Sequence, residues 1–177
     1  LEKTFIETTS SVRREEIFMK EQGREFRTVR GYQIKQQETK AITASMEDYL
    51  EMIYRLTQEK GYTRMGDLAT ALNVQPPSAS KMVQKLADMG YLQFEKYGVI
   101  ELTKKGREHG QYLLKRHETL ERFLGIIGVK EQLLEETEKI EHYISPETIG
   151  KIMLLVEFME NNPEWMQAFN DFTDRKV

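Results

Sequence analysis

The sequence predicts a mainly α protein in which an N-terminal winged helix-turn-helix domain is followed by an all-helical domain. Two observations predict it. Apolar residues recur at helical spacing through most of the chain, and the one clear exception is a pair of short alternating runs, Tyr91–Glu95 and Val99–Thr103, around Lys96, Tyr97 and Gly98. The resulting order of helix, helix, turn, helix and hairpin is that of a winged helix-turn-helix.

Residues 1–40 are polar and charge-mixed, and are expected to form a poorly ordered extension with some helix around residues 11–22, where Ile17, Phe18 and Met19 lie. The chain begins with Leu1, as expected of a fragment or of translation from an upstream start. The winged helix-turn-helix is expected over 41–104. Its first helix runs from Thr43 to Glu59 on the apolar face of Met46, Tyr49, Leu50, Ile53, Tyr54 and Leu56, with Thr43 or Ser45 as N-cap and Gly61 as stop. A short second helix spans Arg64–Leu72, and Asn73 and Val74 form the turn. Pro76 and Pro77 suit the first turn of a third helix, where a missing N–H costs least, and Gly90 ends it.

The second domain is expected over 105–177. A long helix from Lys104 to Ile126 breaks at Gly128, another runs from Lys130 to Tyr143, and Ser145 with Pro146 opens a third that reaches Glu160. Asn161, Asn162 and Pro163 stop it before a last helix holding Trp165, Phe169 and Phe172.

Hydrophobic residues make up 39% of the 177 and charged residues 31%, with no apolar run long enough to cross a bilayer. The N-terminus does not read as a signal peptide, so a cytoplasmic location and no membrane partner are expected. The absence of cysteine excludes disulfides, thiolate catalysis, zinc fingers and iron–sulfur clusters, leaving carboxylates and three histidines to hold any metal. The net charge of -3 hides an asymmetry: residues 61–107 carry seven Lys and Arg against four Asp and Glu, and residues 108–177 carry eight against fourteen.

A helix that reads DNA from the major groove needs small or polar outward residues that donate hydrogen bonds. Gln75, Pro77, Ser78, Ser80, Lys81, Gln84 and Lys85 meet that demand on the third helix, and Arg64, Lys96 and Lys104 are placed to neutralise flanking phosphates. Elsewhere, Asp48 and Glu51 share one face of the first helix, and Glu138, Glu141 and His142 occupy i, i+3 and i+4 of a later one. His117 lies on the long helix between them, whereas His109 reads as a surface residue. Carboxylates and imidazoles without thiolate suit Mn2+ or Fe2+ better than Cu+ or Zn2+. The same residue types also build two-metal hydrolases, so an enzyme is a second, weaker reading.

The stretches Ser45–Glu51 (SMEDYLE), Glu59–Tyr62 (EKGY), Ser80–Leu86 (SKMVQKL), Glu95–Tyr97 (EKY), Leu102–Gly106 (LTKKG), Arg116–His117, Phe123–Leu124, Ile127–Val129 and Glu138–His142 (EKIEH) occur in order over about two-thirds of the chain. On these residues the chain resembles the manganese transport regulator branch of the diphtheria toxin repressor family. The resemblance implies a homodimeric repressor of metal-uptake genes that binds double-stranded palindromic operator DNA when Mn2+ fills a binuclear site between a DNA-binding and an all-helical dimerisation domain. It implies Asp48, Glu51, His117, Glu138, Glu141 and His142 as ligands for two ions per subunit, with Fe2+, Co2+, Cd2+ and Zn2+ as further candidates and Glu121 as a weaker ligand candidate. Met and Cys stand at the positions of Asp48 and Glu138 in the iron-sensing branch, so this ligand set favours manganese over the iron-responsive alternative. The chain departs from the family pattern in its first 40 residues, which have no counterpart, and in Tyr143, where manganese relatives often carry a second His. No additional C-terminal domain of the kind iron-sensing relatives carry is expected.

Overall fold

The computed structural model of the chain describes residues 42–94 and 98–175. The N-terminal extension, with the helix expected around residues 11–22, and Lys96 lie outside these described residues. From Ile42 onward the chain forms one compact unit.

Thr43, rather than Ser45, caps the first helix, α1 (Ala44–Thr57): its backbone is extended and its Oγ1 accepts from the Met46 N–H. Gly61 follows at φ +78, and its N–H donates to the Thr57 carbonyl. The chain then enters strand β1 (Tyr62–Arg64), which corrects the expectation that Arg64 opens the second helix. Arg64 ends the strand, and helix α2 runs over Met65–Ala71. Three residues are too few to show a period of two, and the partner that makes them a strand lies more than 30 residues later in the chain.

The turn of the helix-turn-helix depends on Asn73, whose left-handed φ of 51 lets the Val74 N–H reach back to the Ala69 carbonyl at 3.0 Å. Helix α3 (Pro76–Asp88) starts on its two prolines and stops at Gly90, where the Tyr91 N–H closes on the Leu86 carbonyl. Strands β2 (Leu92–Phe94) and β3 (Val99–Leu102) form the expected hairpin in the register Leu92↔Leu102, Gln93↔Glu101, Phe94↔Ile100. Because β1 pairs antiparallel with the other edge of β3, the sheet has three strands in the order β1-β3-β2.

Thr103 joins the two halves. Its Oγ1 accepts from the Gly106 N–H to cap helix α4 (Lys104–Ile126), and it donates to the Gly90 carbonyl at 2.8 Å. Gly128 at φ +93 ends α4, with the Val129 N–H on the Leu124 carbonyl. Helix α5 (Leu133–Glu141) begins three residues later than the apolar pattern suggests, because Gln132 turns the chain through the left-handed region at φ 57. Helix α6 (Pro146–Asn161) is capped by Ser145, and α7 (Pro163–Asp174) follows after Asn162.

The core gathers Leu50 and Ile53 of α1, Leu68 of α2, Val83 and Leu86 of α3, Ile100 of β3 and Leu113 of α4, all with no exposed surface. Burying each such side chain contributes about 1.5–3 kcal/mol. The α1–α4 seam is tight at Gly110, where an added Cβ would stand 2.7 Å from Tyr54 Cβ. His109, expected at the surface, is half-buried and meets the rings of Tyr91 and Tyr112 edge-on. On α6, Ile149 and Val156 face inward, while Leu154, Leu155 and Phe158 stay exposed beside Trp165 of α7.

Gly110→Ala is expected to destabilise the protein by about 1–3 kcal/mol, the usual cost of overpacking a tight seam. A urea titration that shows no change in midpoint would contradict this account of the α1–α4 contact.

Candidate metal centre

Three helices deliver the charged residues. The first two turns of α1 present Glu47, Asp48 and Glu51, the middle of α4 presents Arg116 and His117, and the end of α5 presents Glu138, Glu141 and its C-cap, His142. They converge because α4 packs against both α1 and α5. Placing His142 at the C-terminal end of α5 also suits a protonated imidazole, which interacts favourably with the free carbonyls there.

The structure brings all six sequence-predicted ligand residues together in two overlapping groups. In one, Asp48, Glu138, Glu141 and His142 each offer an atom, all within 4.8 Å of one another; in the other, Glu51, His117 and Glu141 do the same. Glu141 belongs to both. Its side chain is 2% exposed, its Oε2 lies 2.9 Å from His117 Nδ1, and its Oε1 lies 3.6 Å from His142 Nε2. Glu138 Oε1 stands 3.7 Å from His117 Nδ1 and Asp48 Oδ1 stands 2.9 Å from His142 Nε2. Asp48, Glu51, His117, Glu138 and Glu141 line a cleft of about 380 Å3. Glu121 belongs to neither group among the described residues.

Three further residues complete the electrostatics, and the sequence reading missed them. Glu47 and Arg116 are buried against each other, with both Arg116 Nη atoms 3.1 Å from Glu47 Oε2. The same oxygen accepts from His142 Nδ1 at 2.9 Å, which fixes the ring and leaves Nε2 directed at Asp48. Arg55, one turn after Glu51 on α1, donates from Nε and Nη2 to Glu51 Oε1 at 3.0 and 2.7 Å. The i,i+4 spacing of Glu51 and Arg55 was a usable signal, whereas Glu47 and Arg116 are 69 residues apart and carried none.

Five carboxylates therefore face two guanidinium groups. The imbalance shows in the proton affinities. The His142 pKa is raised from 6.5 to about 9, first by its hydrogen bond to Asp48 and then by the one to Glu47. That of His117 is raised chiefly by its hydrogen bond to Glu141. Burial, reinforced by the neighbouring charge of Glu141, raises the Glu138 carboxyl above the usual carboxylate range. The two histidine shifts, led by hydrogen bonds to carboxylates, are the behaviour of a site short of positive charge. An all-oxygen-and-imidazole donor set with that deficit fits a hard divalent cation.

The outward face of α3 carries the residues expected to meet DNA. Gln75, Pro77, Ser78, Lys81, Gln84 and Lys85 are exposed, Ser80 is half-buried, and Gln84 Nε2 donates to Asp88 Oδ1 at 2.9 Å. Arg64 is exposed at the end of β1, and Lys104 opens α4 beside Glu108. The first turn of α3 has no acidic residue to repel a phosphate.

Comparison with known proteins agrees with this division. Residues 41–100 match the family described as iron dependent repressor, N-terminal DNA binding domain, and residues 103–169 match the iron dependent repressor, metal binding and dimerisation domain. The chain is 48% identical over 134 residues to the HTH-type transcriptional regulator MntR of Geobacillus kaustophilus (strain HTA426), covering 75% of this chain and 95% of that protein. It is 51% identical over 123 residues to the regulator of the same name from Bacillus pumilus (strain SAFR-032), covering 69% and 85%. Among solved structures, the manganese regulator SloR superposes with a TM-score of 0.57 at 28% identity, over 64% of this chain and 54% of that one. A manganese-dependent transcriptional repressor in complex with manganese superposes with a TM-score of 0.55 at 28% identity, over 64% and 53%. The chain thus spans about half the length of these solved relatives but nearly all of its MntR relatives. With a DNA-binding and a metal-binding, dimerising half matched in order, the chain belongs to the iron-dependent repressor family, on the branch of the MntR transcriptional regulators.

Proposed function

We infer that the protein is a manganese-responsive, DNA-binding transcriptional repressor, with Asp48, Glu51, His117, Glu138, Glu141 and His142 holding two metal ions per subunit. The observation that carries this reading is the position of Glu141, whose two oxygens face the two imidazoles and so link both groups of ligand atoms. Manganese, when bound, would supply the positive charge that this cluster lacks, held by Asp48 and Glu51 of α1, His117 of α4, and Glu138, Glu141 and His142 at the end of α5.

The chain's own residues supply the rest. Glu47 and Arg116 hold His142 by Nδ1, so that Nε2 is the nitrogen offered to a cation once it gives up its proton. Without a cation, the surplus carboxylates repel one another across the helices that carry them, which favours a looser seating of α1. Because α1 packs directly on α3 and on the sheet, its position bears on how α3 is presented. In a homodimer, two copies of α3 would then meet successive major grooves of a palindromic operator, with Gln75, Pro77, Ser78, Ser80, Lys81, Gln84 and Lys85 at the groove and Arg64 and Lys96 at the backbone. The exposed Leu154, Leu155, Phe158 and Trp165 offer an apolar surface for the second copy. Loss of the metal releases the operator and permits transcription of metal-uptake genes. Among the described residues no helix is long and apolar enough to cross a membrane, and a protein acting on DNA in this way belongs in the cytoplasm.

Iron is the second effector to weigh, because the matching family is described as iron dependent. Co2+, Cd2+ and Zn2+ are further ions that such a donor set accepts. The di-metal hydrolase reading is set aside, since these relatives are named transcriptional regulators.

The deciding test is operator binding by the purified protein, titrated anaerobically with Mn2+, Fe2+ and Zn2+ at fixed salt. Tight binding driven by Mn2+ is expected; binding that needs no metal would remove the regulatory site, and a response to Fe2+ alone would reassign the effector. His117→Ala and Glu141→Ala are expected to abolish the metal response while circular dichroism shows the fold retained. Lys81→Ala should cost about 1–3 kcal/mol of operator binding and leave metal affinity unchanged. The pH dependence has a definite sign. His142 is raised from 6.5 to about 9, so its contribution to the metal-free fold is complete below about pH 6.5 and is lost as pH rises through about 9. Protons compete with metal over the same window, so Mn2+ affinity measured by chelator competition is expected to rise between pH 6.5 and 9. A flat profile would argue against His142 as a ligand.

A further inference from the structure

Glu51 is a ligand candidate one of whose two oxygens is already engaged. Both Arg55 donors, Nε at 3.0 Å and Nη2 at 2.7 Å, fall on Glu51 Oε1, and Arg55 lines the same cleft as Asp48, Glu51, His117, Glu138 and Glu141. A guanidinium is always charged and cannot leave the site by losing a proton. We propose that Arg55 is a built-in competitor of the metal, which by holding Glu51 and placing a fixed positive charge in the cleft sets how much Mn2+ the protein needs before it loads. The proposal rests on the metal-site reading above.

Two opposing roles are conceivable for a residue that grips a ligand: orienting it, which helps the metal, or occupying it, which hinders. Several observations favour hindrance. The Glu51 side chain is only 10% exposed on a helix packed into the core, so its direction is set by burial without help, whereas Arg55 is 38% exposed at the rim of the cleft. The two N–H groups converge on one oxygen instead of spanning the carboxylate, an arrangement that uses up one lone-pair-bearing atom without bracing the other. The contrast with Glu47 is informative, since Glu47 binds the nitrogen of His142 that faces away from the ligand groups and so supports the ring without taking the atom a cation would use. Arg55 and His117 line the same cleft, so a cation held there meets the fixed charge of the guanidinium. Arg55 thus weakens a site that five carboxylates would otherwise make tighter, and an affinity held in check keeps a sensor responsive instead of permanently loaded.

The test is Mn2+ affinity of the full chain, measured by competition with a chromophoric chelator at fixed pH and ionic strength, for the unaltered protein, Arg55→Gln and Arg55→Lys, with thermal melting to confirm folding. Removing the charge in Arg55→Gln is expected to tighten Mn2+ binding by about tenfold, the scale on which residues behind metal ligands act. Arg55→Lys keeps the charge and is expected to stay within about threefold of the unaltered protein, a rescue that a purely structural role would not give. If the unaltered protein binds Mn2+ and Arg55→Gln binds equally or more weakly, the competitor role is overturned while the metal-site reading stands. Equal tightening in both variants would also overturn it, since shape and not charge would then be responsible. No Mn2+ binding by the unaltered protein would overturn the metal-site reading and this proposal together.

Discussion

The convergence of five carboxylates on two guanidinium groups is the constraint on which the rest of this structure depends. Glu47, Asp48, Glu51, Glu138 and Glu141 come from two helices and meet at a third, and their mutual repulsion in a partly dry cleft opposes the packing that brings them there. The chain answers in two ways. It buries Arg116 against Glu47, a pair in which losing either partner would strand a charge. It also raises the proton affinity of His142 through Asp48 and Glu47, and that of His117 through Glu141. A cation bound in this cleft would take up the charge that the two guanidinium groups leave unbalanced.

The position of this cluster matters because of what α1 touches. Its apolar face, with Leu50 and Ile53, lies in the same core as Val83 and Leu86 of α3, while its acidic face looks into the cleft. One helix thus carries both the carboxylates and the packing surface of the DNA-facing helix. Coupling between a cation and DNA needs no long pathway under this arrangement, and by thermodynamic linkage it must run in both directions. Under the proposed reading, the Glu47–Arg116–His142 contacts supply rigidity at one ligand candidate, and the Arg55–Glu51 contact supplies competition at another. The two arginines differ in exposure, and that difference in surroundings separates a structural cation from a tuning one.

Much of this was legible beforehand. The helical periodicity of α1, α3, α4 and α6, the stops at Gly90 and Gly128, and the prolines at the start of α3 and α6 are local signals, and local chemistry decides them. The three-residue β1 is not legible in the sequence, and its last residue, Arg64, reads as the start of a helix, because the strand's identity depends on pairing with β3. The delayed start of α5 was missed because a non-glycine residue, Gln132, takes up the left-handed turn. His109 reads as a surface residue because, although Tyr112 lies one turn further along the same helix, the other ring it meets, Tyr91, comes from outside that helix.

By itself, the sequence determined the class of chemistry: with no cysteine, only carboxylates and three histidines remained to hold a cation, and helical spacing already placed Asp48 with Glu51, and Glu138 with Glu141 and His142, on shared faces. Only the tertiary structure decided that these faces, together with His117, close on one another, that Glu141 stands between the two imidazoles, and that Glu47, Arg116 and Arg55 belong to the same cluster. The reason is physical. Spacing along a helix fixes which side chains point together, but the sum of charge in a cleft depends on how separate helices pack, and no run of residues on one helix carries that information.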